Sequence, residues 1–253
     1  MLRTWEFSET SQTVSLFTLA HGAIRGLAKG ARRERSTFGG GFEPITAGTV
    51  VFRVRAASEL ALITEWNVEE IFWGPRTSLA AHRAALYASE LIGAFITDRE
   101  AHAGLFETAI HCLRGLDDPA SVPGALVRLQ WGVLVETGHR PRIDAAATES
   151  ASARILGFDP EAGMVVADPG PGAGGEGGAI WRVRRETVES LRDLDGGNGG
   201  RSTAAAAGVT LDRTNRFLAA CCRYHLGREL QTARIVFGNR LGGLPGLRRG
   251  SPD

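Results

Sequence analysis

The chain has 253 residues, of which 43% are hydrophobic, and its formal net charge is +1. This length fits one large domain or two ordinary ones, and the composition is that of a folded protein. Because the net charge is near zero, the chain has no large overall excess of positive charge. Attraction to a polyanion therefore has to come from local clusters of basic residues.

The N-terminal stretch MLRTWEFSETSQTV lacks the basic start and apolar run of a signal peptide. No segment approaches the ~18 uninterrupted apolar residues of a membrane span. We therefore expect a cytoplasmic protein with no membrane partner. The cysteines, Cys112, Cys221 and Cys222, form no C-x-x-C pair, which predicts reduced and mostly buried thiols.

Period-two alternation of apolar and polar residues dominates the first seventy or so positions and predicts β-strands. Turn residues such as His21-Gly22 and Pro44 separate the segments. A small closed barrel fits short strands joined by one long loop, since closure removes exposed edges. We predict an oligonucleotide-binding barrel (OB fold). Its strand segments are TVSLFTL (13–19), AIRGLAK (23–29), TVVFRVR (49–55) and LALITEW (60–66).

A cationic loop follows the second of these segments, in the stretch HGAIRGLAKGARRERSTFGGG (21–41). A nucleotide-binding P-loop would need Gly-Lys-Ser/Thr, but Lys29 precedes Gly30 and Ala31 has no hydroxyl, so that interpretation is rejected. Glycines let a backbone approach a ligand closely. The loop is either a solvated surface or a DNA-binding element. Its basic residues are Arg25, Lys29, Arg32, Arg33 and Arg35.

Three further residues near this loop are candidates for DNA contact. Phe38 could stack on a base, as aromatic side chains do in such barrels, or could fill the barrel end as a core residue. Arg53 and Arg55 lie two apart, hence on one face of a strand. That face is either an ordinary polar surface or an extension of the DNA groove.

From about Arg76 onward the apolar spacing becomes helical, at 78–96, 103–116 and 124–138. The glycine-rich stretches 168–178 and 195–200 are predicted to be flexible surface loops. A final helix, roughly Leu211 to Leu226, carries Arg216 and Arg223 on one face because they are seven apart. The histidines are scattered, and no nucleophile stands beside them in a catalytic arrangement.

These segments resemble a known family. SETSQTVSLFTLAHGAIRGLAKGARRERSTFGGGFEP (8–44) is similar to the N-terminal signature of the bacterial recombination mediator family RecO, and RFLAACCRYHLGREL (216–230) is similar to its C-terminal helix. ETGHRPRID (136–144) and GFDPEAG (157–163) fall where the family has similar segments. The resemblance spans most of the chain, in the same order.

The resemblance implies an α+β protein with an OB-fold barrel (1–75), a helical domain (76–240) and a disordered tail (241–253). It also implies that the protein is no ATPase, and we expect a nucleoid-associated, non-catalytic protein that needs no cofactor. Such a protein binds single- and double-stranded DNA, anneals complementary strands and, with RecR, loads RecA onto DNA coated by single-strand-binding protein. Arg216, Arg223 and Arg228, near an apolar helix face, are candidates for receiving the acidic tail of that protein; the alternative for each of them is an ordinary position on the helix surface.

One segment departs from the family pattern. Many members carry two C-x-x-C pairs flanking a stretch like GFDPEAG, and these pairs hold zinc. The corresponding stretches here, IDAAATES and MVVADPG, contain no cysteine, and His139 alone cannot form a tetrahedral site. We therefore predict a degenerate, metal-free zinc-finger-like insertion around residues 140–178.

Two other functions are possible from the sequence. One is an interaction scaffold whose OB fold binds protein or RNA and whose basic loop is incidental. DNA affinity with a steep salt dependence would separate it from the mediator. The other is a hydrolase, which the missing catalytic arrangement disfavours.

Overall fold

A computed structural model describes residues 1–33, 38, 42–54, 58–97, 99–143, 153–170, 180–196 and 208–238. These residues belong to two compact units, one from Met1 to Val122 and one beginning at Pro123. The first contains a five-stranded sheet, and the second contains a three-stranded sheet among helices.

The sheet of the first unit has the strand order β1-β2-β3-β5-β4. Strands β3 and β5 are parallel, and the other neighbours are antiparallel. A five-stranded, partly open arrangement is that of the OB fold. The strands are β1 (Arg3–Glu6), β2 (Gln12–Thr18), β3 (Gly22–Ala28), β4 (Thr46–Arg53) and β5 (Ala61–Ile71).

The predicted closure of the barrel is wrong, because no ladder joins β1 to β4 among the described residues. Among the described residues, two hydrogen bonds connect Met1, which precedes β1, to the start of β4: the Met1 amino group donates to the Thr46 carbonyl at 2.5 Å, and Ile45 N–H donates to the Met1 carbonyl at 3.2 Å. β1 has four residues, all of them paired with β2. It ends before a seam could form along the length of β4.

The inner face of this sheet forms the core of the first unit. In β3, Ile24, Gly26 and Ala28 are buried while Arg25 is exposed, as alternation along a strand requires. Gly26 lies where β3 meets β5, and a Cβ there would fall 2.4 Å from Cδ1 of Ile63. Only glycine allows the two strands to approach this closely without displacing Ile63.

Three helices complete the first unit: α1 (Gly74–Thr77), α2 (Leu79–Phe95) and α3 (Ala103–Gly115). The Ser78 side chain caps α2 by accepting a hydrogen bond from Ala81 N–H. The buried face of α2 is rich in alanine, which lets it pack closely. Phe106 of α3 packs against Phe17 of β2, with ring centroids 5.8 Å apart.

The second unit contains a small antiparallel sheet of order β7-β6-β8 that the sequence analysis did not predict. Its hairpin turn is fixed by Asp159, whose Oδ1 accepts hydrogen bonds from the N–H groups of Glu161 and Ala162. The strands are β6 (Ile155–Asp159), β7 (Met164–Val166) and β8 (Trp181–Arg184), and the helices are α4 (Val122–Glu136), α5 (Arg185–Asp195), α6 (Gly208–Leu226) and α7 (Gln231–Phe237).

An aromatic cluster packs the small sheet against α6. Phe158 and Trp181 are 3% and 2% exposed, and each ring meets Phe217 edge-on, at centroid distances of 4.9 and 6.3 Å. Elsewhere in this unit, buried Gln130 donates to the Asn215 side-chain oxygen at 2.7 Å. Of the insertion predicted around 140–178, the described residues include β6 and β7, and their sheet is completed by β8 beyond residue 178. Most of the two predicted flexible loops lies outside the described residues.

Candidate nucleic-acid interface

The turn that follows β3 is held in place by backbone and side-chain hydrogen bonds. Gly30 has a φ of +69°, a left-handed conformation that favours glycine. Its N–H donates to Ser11 Oγ at 3.2 Å, and Arg32 N–H donates to the Thr10 carbonyl at 3.1 Å. Ala31 is fully buried, whereas Lys29, Arg32 and Arg33 are exposed. The turn is therefore an ordered element that presents cations to solvent.

The strand register brings Arg53 to the same side of the sheet as the basic residues of β3. Leu27 of β3 pairs with Leu62 of β5, and Leu62 pairs with Arg53 of β4. Directly paired residues share a face, and so do residues two apart on one strand. Arg25 and Lys29 flank Leu27 at that spacing, so they lie on the same face of the sheet as Arg53.

Two rows of paired residues define this surface, which we call the outer face. The first row continues from Leu27 to β2 and β1, and the second crosses the three strands β1, β2 and β3. Neither row contains a carboxylate. The first row is Trp5, Thr13, Leu27, Leu62 and Arg53, and the second is Arg3, Ser15 and Arg25.

Most cations of the outer face and the turn have no carboxylate partner within the described part of the chain. Arg32 is the exception, because its Nη1 lies 2.7 Å from Glu6 Oε1. Unpaired, exposed cations keep their full charge available for a phosphate. The unpaired and exposed ones are Arg3, Arg25, Lys29, Arg33 and Arg53.

The predicted DNA site also includes Arg35, Arg55 and Phe38. Arg35 and Arg55 lie outside the described residues. Phe38 is 5% exposed and packs against Phe42, with ring centroids 5.4 Å apart. A ring buried in the core has no face to offer a base, which corrects its assignment as a stacking residue and agrees with the core alternative.

The sequence analysis missed two outer-face residues, Arg3 and Trp5 of β1. Trp5 is 42% exposed, and the Arg3 guanidinium carbon lies 5.4 Å from the centre of its ring. The stretch RTWE is short and its only large apolar side chain is exposed, so it lacks the alternation that identified the other strands. The remaining signal was the spacing of two between Arg3 and Trp5.

The three arginines predicted to contact a protein partner differ in their exposure to solvent. Arg216 is half-buried and pairs with Asp212 within α6 at 2.9 Å. Arg223 is 9% exposed, so it is not part of an open basic face, although it lies seven residues from Arg216. Arg228 is exposed beyond the end of α6. The structure does not bring these three residues together as one exposed surface.

Other reactive groups form no recognisable centre in the described ranges. No group of three or more His, Cys, Asp or Glu side chains there could hold a metal ion. Burial raises the pKa of both the Cys221 and the Cys222 thiol, which keeps them protonated and unreactive. No helix in the described part of the chain is long and apolar enough to cross a membrane.

An OB-type sheet whose outer-face cations have no carboxylate partner among the described residues is the arrangement expected of the class of OB-fold proteins that bind nucleic acid. Two family models cover nearly the whole described chain. "Recombination protein O N terminal" matches residues 1–72, and "Recombination protein O C terminal" matches residues 76–234. The chain belongs to the RecO family of recombination proteins.

Individual relatives agree with this assignment. The DNA repair protein RecO of Anaeromyxobacter sp. (strain Fw109-5) is 32% identical over 240 residues, which cover 93% of each chain. The DNA repair protein RecO of Anaeromyxobacter dehalogenans (strain 2CP-C) is 31% identical over 252 residues, or 96% of each chain. That of Geobacter sulfurreducens is 32% identical over 147 residues, covering 58% of this chain and 60% of its own.

Proposed function

We propose that this protein is a non-catalytic recombination mediator in DNA repair, acting at the nucleoid. It binds single- and double-stranded DNA through the outer face, anneals complementary strands and, with RecR, helps load RecA onto DNA coated by single-strand-binding protein. The observation that carries the proposal is the set of unpaired cations along the outer face of an OB-type sheet in a RecO family member.

The physical argument for DNA as the ligand is electrostatic. Each arginine or lysine that neutralises a phosphate releases condensed counterions, which supplies most of the sequence-independent affinity. Such contacts carry no base information. A protein that must act on any damaged sequence needs this kind of affinity. Arg25, Lys29 and Arg53 can provide it without first breaking an ion pair within the described part of the chain.

We assign the partner contacts to the helical part of the chain, residues 76–240, and the DNA contacts to residues 1–75. Of the candidate residues for the acidic tail of single-strand-binding protein, Arg228 is the most accessible, and Arg216 would have to exchange its bond to Asp212. Arg223 would need α6 to open. Arg216→Ala with Arg228→Ala should weaken tail-peptide binding while DNA affinity stays nearly unchanged.

The salt dependence of DNA binding tests the DNA-binding part of the proposal. If Arg3, Arg25, Lys29, Arg33 and Arg53 all engage a single strand, the slope of log affinity against log salt should be about −3.5, from ~0.7 per contact. Fluorescence anisotropy with a labelled oligonucleotide between 50 and 200 mM salt should then show a loss on the order of a hundredfold. No measurable affinity, or a slope near zero, would favour the interaction scaffold instead.

Strand annealing tests the mediator function directly. Complementary strands should anneal faster with the protein than without it, first as naked strands and then coated with single-strand-binding protein. Adding RecR and RecA should then yield RecA filaments on the coated strand only when this protein is present. If annealing and loading match the protein-free control while DNA affinity is intact, the protein binds DNA but is not a mediator.

A further inference from the structure

Trp5 is a large aromatic side chain at the β1 end of the first row of the outer face. Its ring is 42% exposed. Burial of such a ring would be favourable, because it would remove a large apolar area from contact with water. It faces the same side of the sheet as Arg25 and Lys29, because it pairs with Thr13, which pairs with Leu27.

The ring is held by its neighbour, Arg3. The two residues are two apart on β1, and the guanidinium carbon lies 5.4 Å from the ring centre. A cation at this distance is attracted to the ring face. The indole is thereby oriented on the sheet while part of its surface remains open, which reduces the entropy lost when a planar ligand stacks on it.

The neighbourhood of Trp5 identifies the ligand. In the strand register, Thr13 and Leu27 separate Trp5 from Leu62 and Arg53, at about 5 Å per strand. A planar, apolar group attached to a phosphate backbone matches a ring that has a cation, Arg3, beside it and further cations on the same face of the sheet. Bases of single-stranded DNA offer such a group, whereas the bases of a duplex are already stacked on one another.

We propose that Trp5, oriented by Arg3, is a stacking platform for one unpaired base on the outer face, and that it adds affinity for single strands to the affinity that the cations supply for any DNA. This proposal rests on the proposed function, since the outer-face cations must first hold the DNA backbone. The cations bind any DNA, and the platform distinguishes a free base from a paired one.

The matched control is a second tryptophan–arginine pair in the same unit. Trp73 is 63% exposed, and the Arg76 guanidinium carbon lies 6.0 Å from its ring centre. This pair differs from the first in two ways. Arg76 is neutralised by Glu43 at 2.6 Å, and Trp73 follows β5 and belongs to neither row of the outer face. Trp73→Ala should therefore leave DNA binding unchanged.

The test compares oligothymidine with an oligomer of the same length in which the bases are replaced by abasic sites, so that the phosphates remain. Trp5→Ala should lower affinity for oligothymidine about tenfold, within the range for base–aromatic stacking. Affinity for the abasic oligomer and the salt slope should stay at wild-type values. Trp5→Phe should recover most of the loss, because it restores a ring without restoring any charge.

The outcomes separate this proposal from the function on which it rests. Equal losses on both oligomers, or no loss on oligothymidine, would overturn the stacking platform while leaving the cationic outer face intact. A loss with Trp73→Ala as large as that with Trp5→Ala would also overturn it. If the wild-type protein binds neither oligomer, the proposed function itself fails.

Discussion

Arginines of the outer face in the first unit differ in their ion pairing from several arginines of the second unit. On the outer face of the first unit, Arg3, Arg25 and Arg53 have no carboxylate partner among the described residues. In the second unit, several arginines are ion-paired. These pairs are Arg140 with Asp195, Arg182 with Asp168, Arg213 with Glu186, Arg216 with Asp212 and Arg234 with Glu229.

The difference shows that net charge and arginine content do not locate a polyanion site. The chain as a whole is almost neutral, yet one face concentrates unpaired cations. The Arg182 guanidinium binds Asp168 through two parallel hydrogen bonds, at 2.9 and 2.8 Å, and lowers the pKa of that carboxyl group. A phosphate would have to displace the carboxylate first. Pairing, more than the number of arginines, decides which of them are available.

The largest expected effect concerns the aromatic cluster that holds the small sheet to α6. Phe217→Ala removes a 5% exposed ring that meets both Phe158 and Trp181. We expect a loss of roughly 3–5 kcal/mol in unfolding free energy, as for other buried aromatic truncations, measured by urea denaturation. At a temperature where the variant is folded, its DNA salt slope should equal that of the wild type. A changed slope would mean that the second unit also supplies phosphate contacts.

The second prediction sets unpaired cations against paired ones. Arg25, Lys29 and Arg53 changed together to alanine should flatten the salt slope by about 2 and lower affinity about a hundredfold at ~0.1 M salt. The control triple variant, Arg182, Arg213 and Arg234 to alanine, removes the same formal charge from ion-paired positions. It should leave the slope close to the wild-type value. Equal effects of the two triple variants in anisotropy titrations would show that net charge alone sets the salt slope. Ion pairing would then not decide which arginines bind DNA.

A smaller effect concerns pH and the second unit. The His225 ring stacks on His139 with centroids 4.0 Å apart, and its pKa is lowered, first by burial and then by the neighbouring His139. The folded state therefore binds this proton less tightly than the unfolded chain. Stability should be greatest above the unfolded pKa of ~6.5 and decline as pH falls below it.

His225→Gln should reduce this decline, because glutamine does not titrate. The measurement is the urea midpoint at neutral pH and again about two pH units lower, for the variant and the wild type. His111→Gln is a suitable control, because His111 is exposed on α3 of the first unit. An identical pH dependence in wild type and His225→Gln would assign the effect to other groups.

The smallest expected effect is that of a chelator, which should leave the urea midpoint unchanged. The stretches that carry C-x-x-C pairs in many family members have none here, and the small sheet is packed through Phe158 and Trp181. Elemental analysis of the purified protein should find no stoichiometric zinc. About one zinc per chain, or a lowered midpoint with chelator, would mean that ligands outside the described residues complete a site.

Much of the first unit could be predicted from the sequence, because strands with one buried face reveal themselves by alternation. The segments 13–19 and 23–29 correspond closely to Gln12–Thr18 and Gly22–Ala28. β1 was missed because its Trp5 points to solvent. Closure was wrongly predicted because the seam between β1 and β4 depends on strand length and curvature, which a local pattern does not carry.

The second unit was harder to predict. ILGFD and WRVR are short strands separated along the chain by a glycine-rich stretch, so their pairing is a long-range event with no local signal. Arg223 shows a related limit. The spacing of seven places Arg223 on the same side of α6 as Arg216. Which side of a helix is buried, however, depends on what packs against it. Burial at 9% exposure could not be derived from the spacing alone.

Lys29, exposed at the edge of the outer face, has a practical consequence, since it is the only lysine in the sequence. Amine-reactive reagents will find no other lysine side chain to modify. A fluorophore ester at this position would report on events within the cationic turn without any engineered cysteine. An enzyme that acylates lysines would, for the same reason, remove charge from this protein at a single side chain, directly on the surface proposed to hold DNA.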